Sequence, residues 1–186
     1  MPAFFLTFLA VAVAMLAGRD AVRVARLKAS LGWAGPLTVT VLLAALAGAA
    51  LAAWIADSLI PLIPPQFKPV TVAVALGLAG LEVLLRSPPE KPREPTRSMG
   101  AITLVLLLGM VTDASGFIIL SLAIATGEPL LAAAGGAFGA VVVLFGAIIA
   151  GEDWQALPLE AIRRVVGAGL LLVAVVLLIF AQNLFG

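Results

Sequence analysis

Long apolar runs fill almost the whole sequence and constrain its fold more than any other feature. Of the 186 residues, 63% are hydrophobic and 11% are charged, whereas about a quarter of the residues in a soluble domain are charged. A helix of about 20 apolar residues crosses the hydrocarbon core of a bilayer. Because backbone groups in lipid must be hydrogen-bonded within the chain, such runs predict helices. We therefore expect an all-α integral membrane protein.

Six apolar segments are separated by proline, glycine and charged residues. A charged, proline-rich stretch at 86–98 divides them into two groups of three and predicts a linker. Segment four contains Asp113, the one charged residue between Met99 and Glu128, and we expect its helix to be interrupted near 112–116. The six predicted segments are 2–18, 36–56, 70–85, 99–126, 130–150 and 165–185.

The basic residues are distributed asymmetrically between the two ends of these segments. Ten of the 11 Lys and Arg residues lie after segment one, in the linker or after segment five, and only Lys68 lies at the opposite side. Positively charged loops face the cytoplasm. We therefore place the linker in the cytoplasm and both termini outside it, in the inner (cell) membrane of a bacterium.

The two halves of the sequence align without a gap when one is shifted by 93 residues. Asp20 then falls on Asp113, and the alignment also pairs Pro36 with Pro129 and Pro65 with Pro158. Each copy holds three predicted helices, an odd number, so the second copy must cross the membrane in the opposite sense. Inverted repeats are typical of secondary transporters. The predicted units are a first repeat at 1–85, the linker at 86–98 and a second repeat at 99–186.

The two aligned aspartates are the main candidates for a binding site. A carboxylate within a membrane span is costly and usually faces a partner or an ion pathway. Asp113 could instead be structural, and Asp20 could simply pair with Arg23 or Arg19. Ser115 and Thr112 are candidate ligands beside Asp113, although their hydroxyls could bond to their own helix backbone.

The basic residues near Asp20 have two interpretations. Arg19, Arg23 and Arg26 share one helix face, which is typical of an anchor whose side chains reach the headgroups. Alternatively, Arg19 or Arg23 supplies a counter-charge for an anion, or stands in for a bound cation. Glu82, at the end of segment three, is expected to meet water or Arg86 rather than to carry protons.

The late aspartates, the charged linker and the three-plus-three inverted helices resemble a family of cation/proton exchangers. That family includes the Golgi manganese and calcium transporters and belongs to the lysine-exporter superfamily. Its mark is two copies of Glu-x-Gly-Asp-(Lys/Arg)-(Ser/Thr). Asp20 and Asp113 match the motif aspartates, and Ser115 matches the hydroxyl position of the second copy. The resemblance implies that the two aspartates bind Mn²⁺ or Ca²⁺.

The chain departs from this motif at several positions. The glutamate positions fall on Ala17 and Met110, and the first hydroxyl position falls on Val22. In the family, those glutamates help to hold the divalent cation, because a hard ion needs oxygen ligands. Their absence leaves three alternatives open, which are a weaker or different cation site, a different substrate, or a member that has lost transport.

These features predict a membrane transporter, with a divalent cation/proton antiporter as the leading function. The alternatives are an exporter of an organic or anionic solute and a non-transporting membrane partner of another complex. The chain has no His and no Cys, so we expect neither an enzyme nor a cofactor. The net charge of +1 indicates no nucleic-acid partner. The expected partners are the lipid bilayer, a small ion and a proton, and small-residue helix faces could also support a homodimer.

Overall fold

The protein is all-helical, as its apolar runs predict. The computed structural model describes residues 1–16, 18–32, 35–86 and 98–182, and these residues form no β-strand. Short 3-10 turns lie at Ile60–Leu62, Pro65–Phe67 and Gly151–Ala156. The α-helices of the described chain are α1 (Pro2–Leu16), α2 (Arg19–Leu31), α3 (Gly35–Leu59), α4 (Lys68–Leu85), α5 (Met99–Thr112), α6 (Ala114–Thr126), α7 (Pro129–Ala150) and α8 (Leu159–Gln182).

The described chain contains four helical stretches that are long and apolar enough to cross a bilayer on their own. They are Gly35–Leu62, Pro65–Leu85, Pro129–Ala156 and Leu159–Ala181. The remaining helices form two bent pairs, with α1 and α2 at 59° and α5 and α6 at 49°. The described part of the chain therefore has four candidate spans, or six if each bent pair crosses as one span, as expected of an integral membrane protein.

Two helices extend beyond the predicted segments. The polar stretch after segment one forms α2, which turns Ala21, Val22, Val24 and Ala25 inwards and packs against α7. The last helix begins at Leu159 rather than at residue 165, because Pro158 precedes it and Glu160 occupies its first turn, where a negative charge is favourable. The predicted linker residues 87–97 and the predicted end of segment six at 185 lie outside the described residues.

The predicted interruption of segment four is confirmed at Asp113. Asp113 has an extended backbone (φ −92°, ψ 176°) between the end of α5 and the start of α6. Thr, Asp and Ser favour such a break, because their side chains compete with the helix for backbone groups. A glycine is needed at position 116, in the first turn after this break, since a Cβ there would lie 2.6 Å from the carbonyl oxygen of Met110.

Glycines allow the closest helix contacts in the bundle. A Cβ on Gly139 of α7 would lie 2.6 Å from the carbonyl oxygen of Phe8 in α1, and Gly135 meets the Phe4 carbonyl at the same crossing. Gly80 of α4 and Gly167 of α8 meet in a second close crossing. Small residues that bring backbones together are typical of helix packing in membranes.

Candidate functional site

A small cavity lies where the breaks of the two bent helix pairs meet the end of α4. Its volume is about 20 Å³, enough for about one water molecule. Carboxyl groups of three residues line it, namely Asp20, Glu82 and Asp113, together with the guanidinium groups of Arg19, Arg86 and Arg163. The cavity therefore brings together charged side chains from α2, α4 and α8 and from the break between α5 and α6.

Asp113 is buried and shares one oxygen between two arginines. Its side chain is 12% exposed. Arg86 Nη1 lies 3.3 Å from Asp113 Oδ1 and donates a hydrogen bond to it, and Arg19 Nη1 lies 3.8 Å from the same oxygen. The sequence allowed Arg19 to pair with Asp20, whereas in the structure Arg19 forms its ion pair with the aspartate of the other half.

Asp20 is more deeply buried than Asp113 and pairs with a different arginine, Arg23. The residue is 3% exposed, and Arg23 Nη1 donates a hydrogen bond of 2.8 Å to Asp20 Oδ1. This is the pairing of residues three apart that the sequence allowed. The other side of the carboxylate faces Gly109 of α5, where a Cβ would lie 2.7 Å from both carboxylate oxygens. Asp20 therefore contacts the second half of the chain although it belongs to the first.

The two predicted hydroxyl ligands lie in different surroundings. Ser115 is buried, lines the cavity, and donates a hydrogen bond of 3.3 Å to the Met110 carbonyl. Thr112 is exposed and donates a hydrogen bond of 2.8 Å to the Leu108 carbonyl of its own helix, and it is not among the residues that line the cavity. Both hydroxyls thus bond to backbone, and only Ser115 lies at the site.

Glu82 lies in the cavity, which sequence reasoning missed. Its Oε2 accepts a hydrogen bond of 3.2 Å from the Ala114 amide at the start of α6. The first N–H groups of a helix have no partner within that helix, so Glu82 of α4 caps α6 from outside. Its Oε1 is buried and has no hydrogen-bond partner among the described residues. Glu82 follows Asp20 by about two-thirds of a repeat and belongs to no motif. Neither the repeat nor a motif therefore predicts that Glu82 lies beside Asp20.

Arg86 and Arg163 are the other site residues that the sequence did not identify, since it gave Arg86 only as a partner for Glu82 and Arg163 only as a topological charge. Arg163 of α8 donates hydrogen bonds to the Val83 carbonyl from Nε at 3.1 Å and from Nη2 at 2.8 Å. Its Nη2 also contacts the Arg86 carbonyl. One guanidinium from α8 thus holds carbonyls at the C-terminal end of α4, where a helix leaves its last carbonyl groups unpaired.

Three carboxyl groups offer oxygen ligands, but arginines already pair with two of them, Asp20 and Asp113. Among the described residues, no group of three or more His, Cys, Asp or Glu side chains is arranged to hold a metal ion. In this conformation, Oδ1 of each aspartate is paired with arginine, so a cation would compete with Arg23 at Asp20 and with Arg19 and Arg86 at Asp113.

A second cavity lies away from the predicted site residues. It has a volume of about 510 Å³ and lies between the C-terminal half of α3 and the start of α7. Its lining is mainly apolar and includes two acidic residues, Asp57 and Glu128, which are both exposed. None of the residues predicted from sequence to bind substrate lines it.

Comparisons of the chain with protein-family models, with curated proteins and with solved structures found no match.

Proposed function

We propose that the protein is a proton-coupled secondary transporter built from two inverted three-helix repeats. The order of the helices supports this proposal, because each half consists of a bent pair followed by two longer helices. The packing supports it too, since α1 packs on α7 and its counterpart α5 packs on α3. The symmetry is partial. Helix α4 packs closely on α6, whereas α8 has no comparable contact with α2 within the described chain.

The observation that carries the proposal is the meeting of Asp20 and Asp113 at one cavity. They are the two aspartates that the 93-residue shift superimposes, and each lies at or next to the break of a bent helix pair. Broken helices at the interface of two repeats form the substrate sites of many transporters. Burying two carboxylates in a membrane bundle is costly, so a role in binding explains their presence better than a structural role.

The first candidate substrate is a small divalent cation, Mn²⁺ or Ca²⁺, moved against protons. The carboxylates of Asp20 and Asp113 supply the oxygen ligands that hard cations prefer, and Ser115 lines the same cavity. Ion and proton would compete for the same carboxylates, and this competition would couple the two fluxes. Arg23, Arg86 and Arg19 would hold the negative charges while the site has no ion.

A second candidate substrate is an anionic solute. The arginines favour it, because Arg19, Arg86 and Arg163 line the cavity and Arg23 adds a fourth guanidinium beside it. A cation would compete with an arginine for an aspartate, whereas an anion would bind the arginine itself and draw it away from the aspartate. In that case Arg19 and Arg23 would be the counter-charges of the anionic solute, which is the alternative that their positions in the sequence allowed.

Flux measurements in sealed proteoliposomes under an imposed pH gradient test these functions. The exchanger predicts gradient-driven flux of Mn²⁺ or Ca²⁺ in the wild type. The anion exporter predicts no cation flux and an anion flux that the substitution Arg23→Ala abolishes. If folded, monodisperse protein moves neither, transport is overturned, and the remaining alternative is a non-transporting membrane partner, which should co-purify with its complex.

Localisation and assembly follow from the same proposal. We place the protein in the inner membrane of a bacterium, with both termini outside the cytoplasm. Helix α8 carries many exposed large apolar side chains, including Val165, Leu172 and Phe180. This surface would lie against lipid, or against a second copy if the protein forms a homodimer.

A further inference from the structure

Of the three arginines that line the cavity, Arg19 and Arg86 pair with Asp113, whereas Arg163 bonds to backbone carbonyls of the described chain. Its guanidinium holds the Val83 carbonyl through two N–H groups and also reaches the Arg86 carbonyl. Both carbonyls belong to the last turn of α4 and the residue after it. A planar guanidinium with several fixed donors suits such a multiple contact, and a lysine could not reproduce it.

The turn held by Arg163 carries two side chains of the cavity. Glu82 lies one residue before Val83 and bonds to the Ala114 amide at the start of α6. Arg86 lies three residues after Val83 and bonds to Asp113. Because Arg86 has a half-exposed side chain (51%), its pairing with Asp113 would be weak without a fixed backbone. Arg163 therefore restrains the turn that carries both of these contacts at the cavity.

We infer that Arg163 is a positioning residue that limits access to the cavity beside the C-terminal end of α4. By fixing that turn from α8, it holds Arg86 over Asp113 and Glu82 against α6. This inference rests on the proposed function for its meaning in transport, since an alternating site must open and close on each side. The contact also joins α4 of the first predicted repeat to α8 of the second, so movement between the repeats would break it.

The chain offers a matched control in the neighbouring residue. Arg164 has the same charge, but its side chain is 74% exposed and pairs with Glu160 on its own helix. The substitution Arg164→Gln therefore removes an equal charge from the same turn of α8 without touching α4.

Thiol labelling tests the inference independently of transport, because the native chain has no cysteine. Ser115→Cys places a thiol in the cavity, and Ser121→Cys places one in a buried position on the same helix, outside the residues that line the cavity. We expect Arg163→Gln to accelerate maleimide labelling of the Ser115→Cys thiol and to leave the Ser121→Cys thiol slow. Arg164→Gln should change neither rate.

Two results would overturn the inference. One is an unchanged labelling rate of Ser115→Cys in the presence of Arg163→Gln. The other is equal acceleration of both thiols, which would indicate general loosening of the bundle. If Arg163→Gln does not fold, the test uses Arg163→Lys. We expect Arg163→Lys to accelerate maleimide labelling of the Ser115→Cys thiol relative to the protein with Arg163, since a single ammonium replaces several guanidinium N–H donors.

A flux measurement then connects this contact to transport. In proteoliposomes, Arg163→Gln should lose accumulation of Mn²⁺ or Ca²⁺ driven by a pH gradient while retaining downhill leakage, and Arg164→Gln should match the wild type. Accumulation equal to the wild type in Arg163→Gln would contradict the role of Arg163 in limiting access to the cavity. If the wild type itself moves neither ion, the cation-exchanger proposal fails, and the labelling rates still decide whether Arg163 limits access to the cavity.

Discussion

Gly109 of α5 lies against the carboxylate of Asp20, so closely that a Cβ on Gly109 would stand 2.7 Å from each carboxylate oxygen. The contact joins the first break of the chain to the helix that precedes the second break. It explains why a glycine directly follows the large apolar residues 104–108 in α5. Gly109 therefore sets how the carboxylate of a cavity residue packs against α5.

The substitution Gly109→Ala should therefore disturb the site more than the fold. The added methyl group must push the Asp20 carboxylate away from α5 and strain its bond to Arg23, at a cost of about 1–3 kcal/mol typical of overpacking. Gly100→Ala is the matched control, since it lies on the same helix with no atom within 4 Å of its Cβ position. We expect loss of flux and a lower Tm for Gly109→Ala only. Equal behaviour of the two variants would contradict the contact.

The two hydroxyls beside Asp113 should differ in their effect on transport. Thr112 is exposed and bonds to its own helix, so Thr112→Ala should leave flux and stability near those of the wild type, within about 0.5 kcal/mol as for other surface changes. Ser115→Ala removes a buried hydroxyl that lines the cavity and should weaken the apparent affinity for the transported ion. Concentration dependence of the flux measures both, and a larger effect at Thr112 would contradict this assignment.

The crossing of α1 and α7 should depend on Gly139. A Cβ there would lie 2.6 Å from the Phe8 carbonyl oxygen and 3.2 Å from the Ala12 nitrogen, which are backbone atoms that cannot move aside alone. Gly139→Ala should lower the Tm in detergent despite the gain in helix propensity. Gly169→Ala, in α8 with nothing near its Cβ position, should keep or raise the Tm by virtue of that gain of about 1 kcal/mol. Equal shifts in both variants would argue against the close crossing.

The proposed six spans and cytoplasmic linker predict where labels can reach the chain in cells. Tags at both termini should react with membrane-impermeant reagents added from outside, and a tag inserted in 86–98 should react only after the cells are opened. The prediction follows from ten basic residues on one side and Lys68 on the other. A terminal tag protected in intact cells would show that one bent helix pair does not cross the membrane.

The sequence was sufficient to predict the helical class and the break at Asp113, because both follow from local chemistry. Apolar length predicts helices in lipid, and a run of Thr, Asp and Ser within such a helix predicts an interruption. The pair Asp20–Arg23 was also predictable, since residues three apart on a helix face one another. The packing of α2 was harder to foresee, because its partner α7 lies in the other half of the chain.

The remaining part of the site depends on contacts between distant residues. Glu82 reaches the start of α6, and Arg163 reaches the end of α4, across sequence separations of 32 and 80 residues. No periodicity or motif encodes such separations. Because the charge of Arg86 was used to predict the orientation of the chain in the membrane, Arg86 was not considered as a partner of Asp113.

The most direct test of the central claim is the initial rate of Mn²⁺ flux in sealed proteoliposomes under an imposed pH gradient. The variants are Asp20→Asn and Asp113→Asn, with Asp153→Asn, an exposed acid outside the cavity, as the control. If both aspartates exchange ion and proton, the wild type and Asp153→Asn will carry gradient-driven flux, and the two site variants will lose it while remaining folded and monodisperse. Undiminished flux in Asp113→Asn would contradict the account.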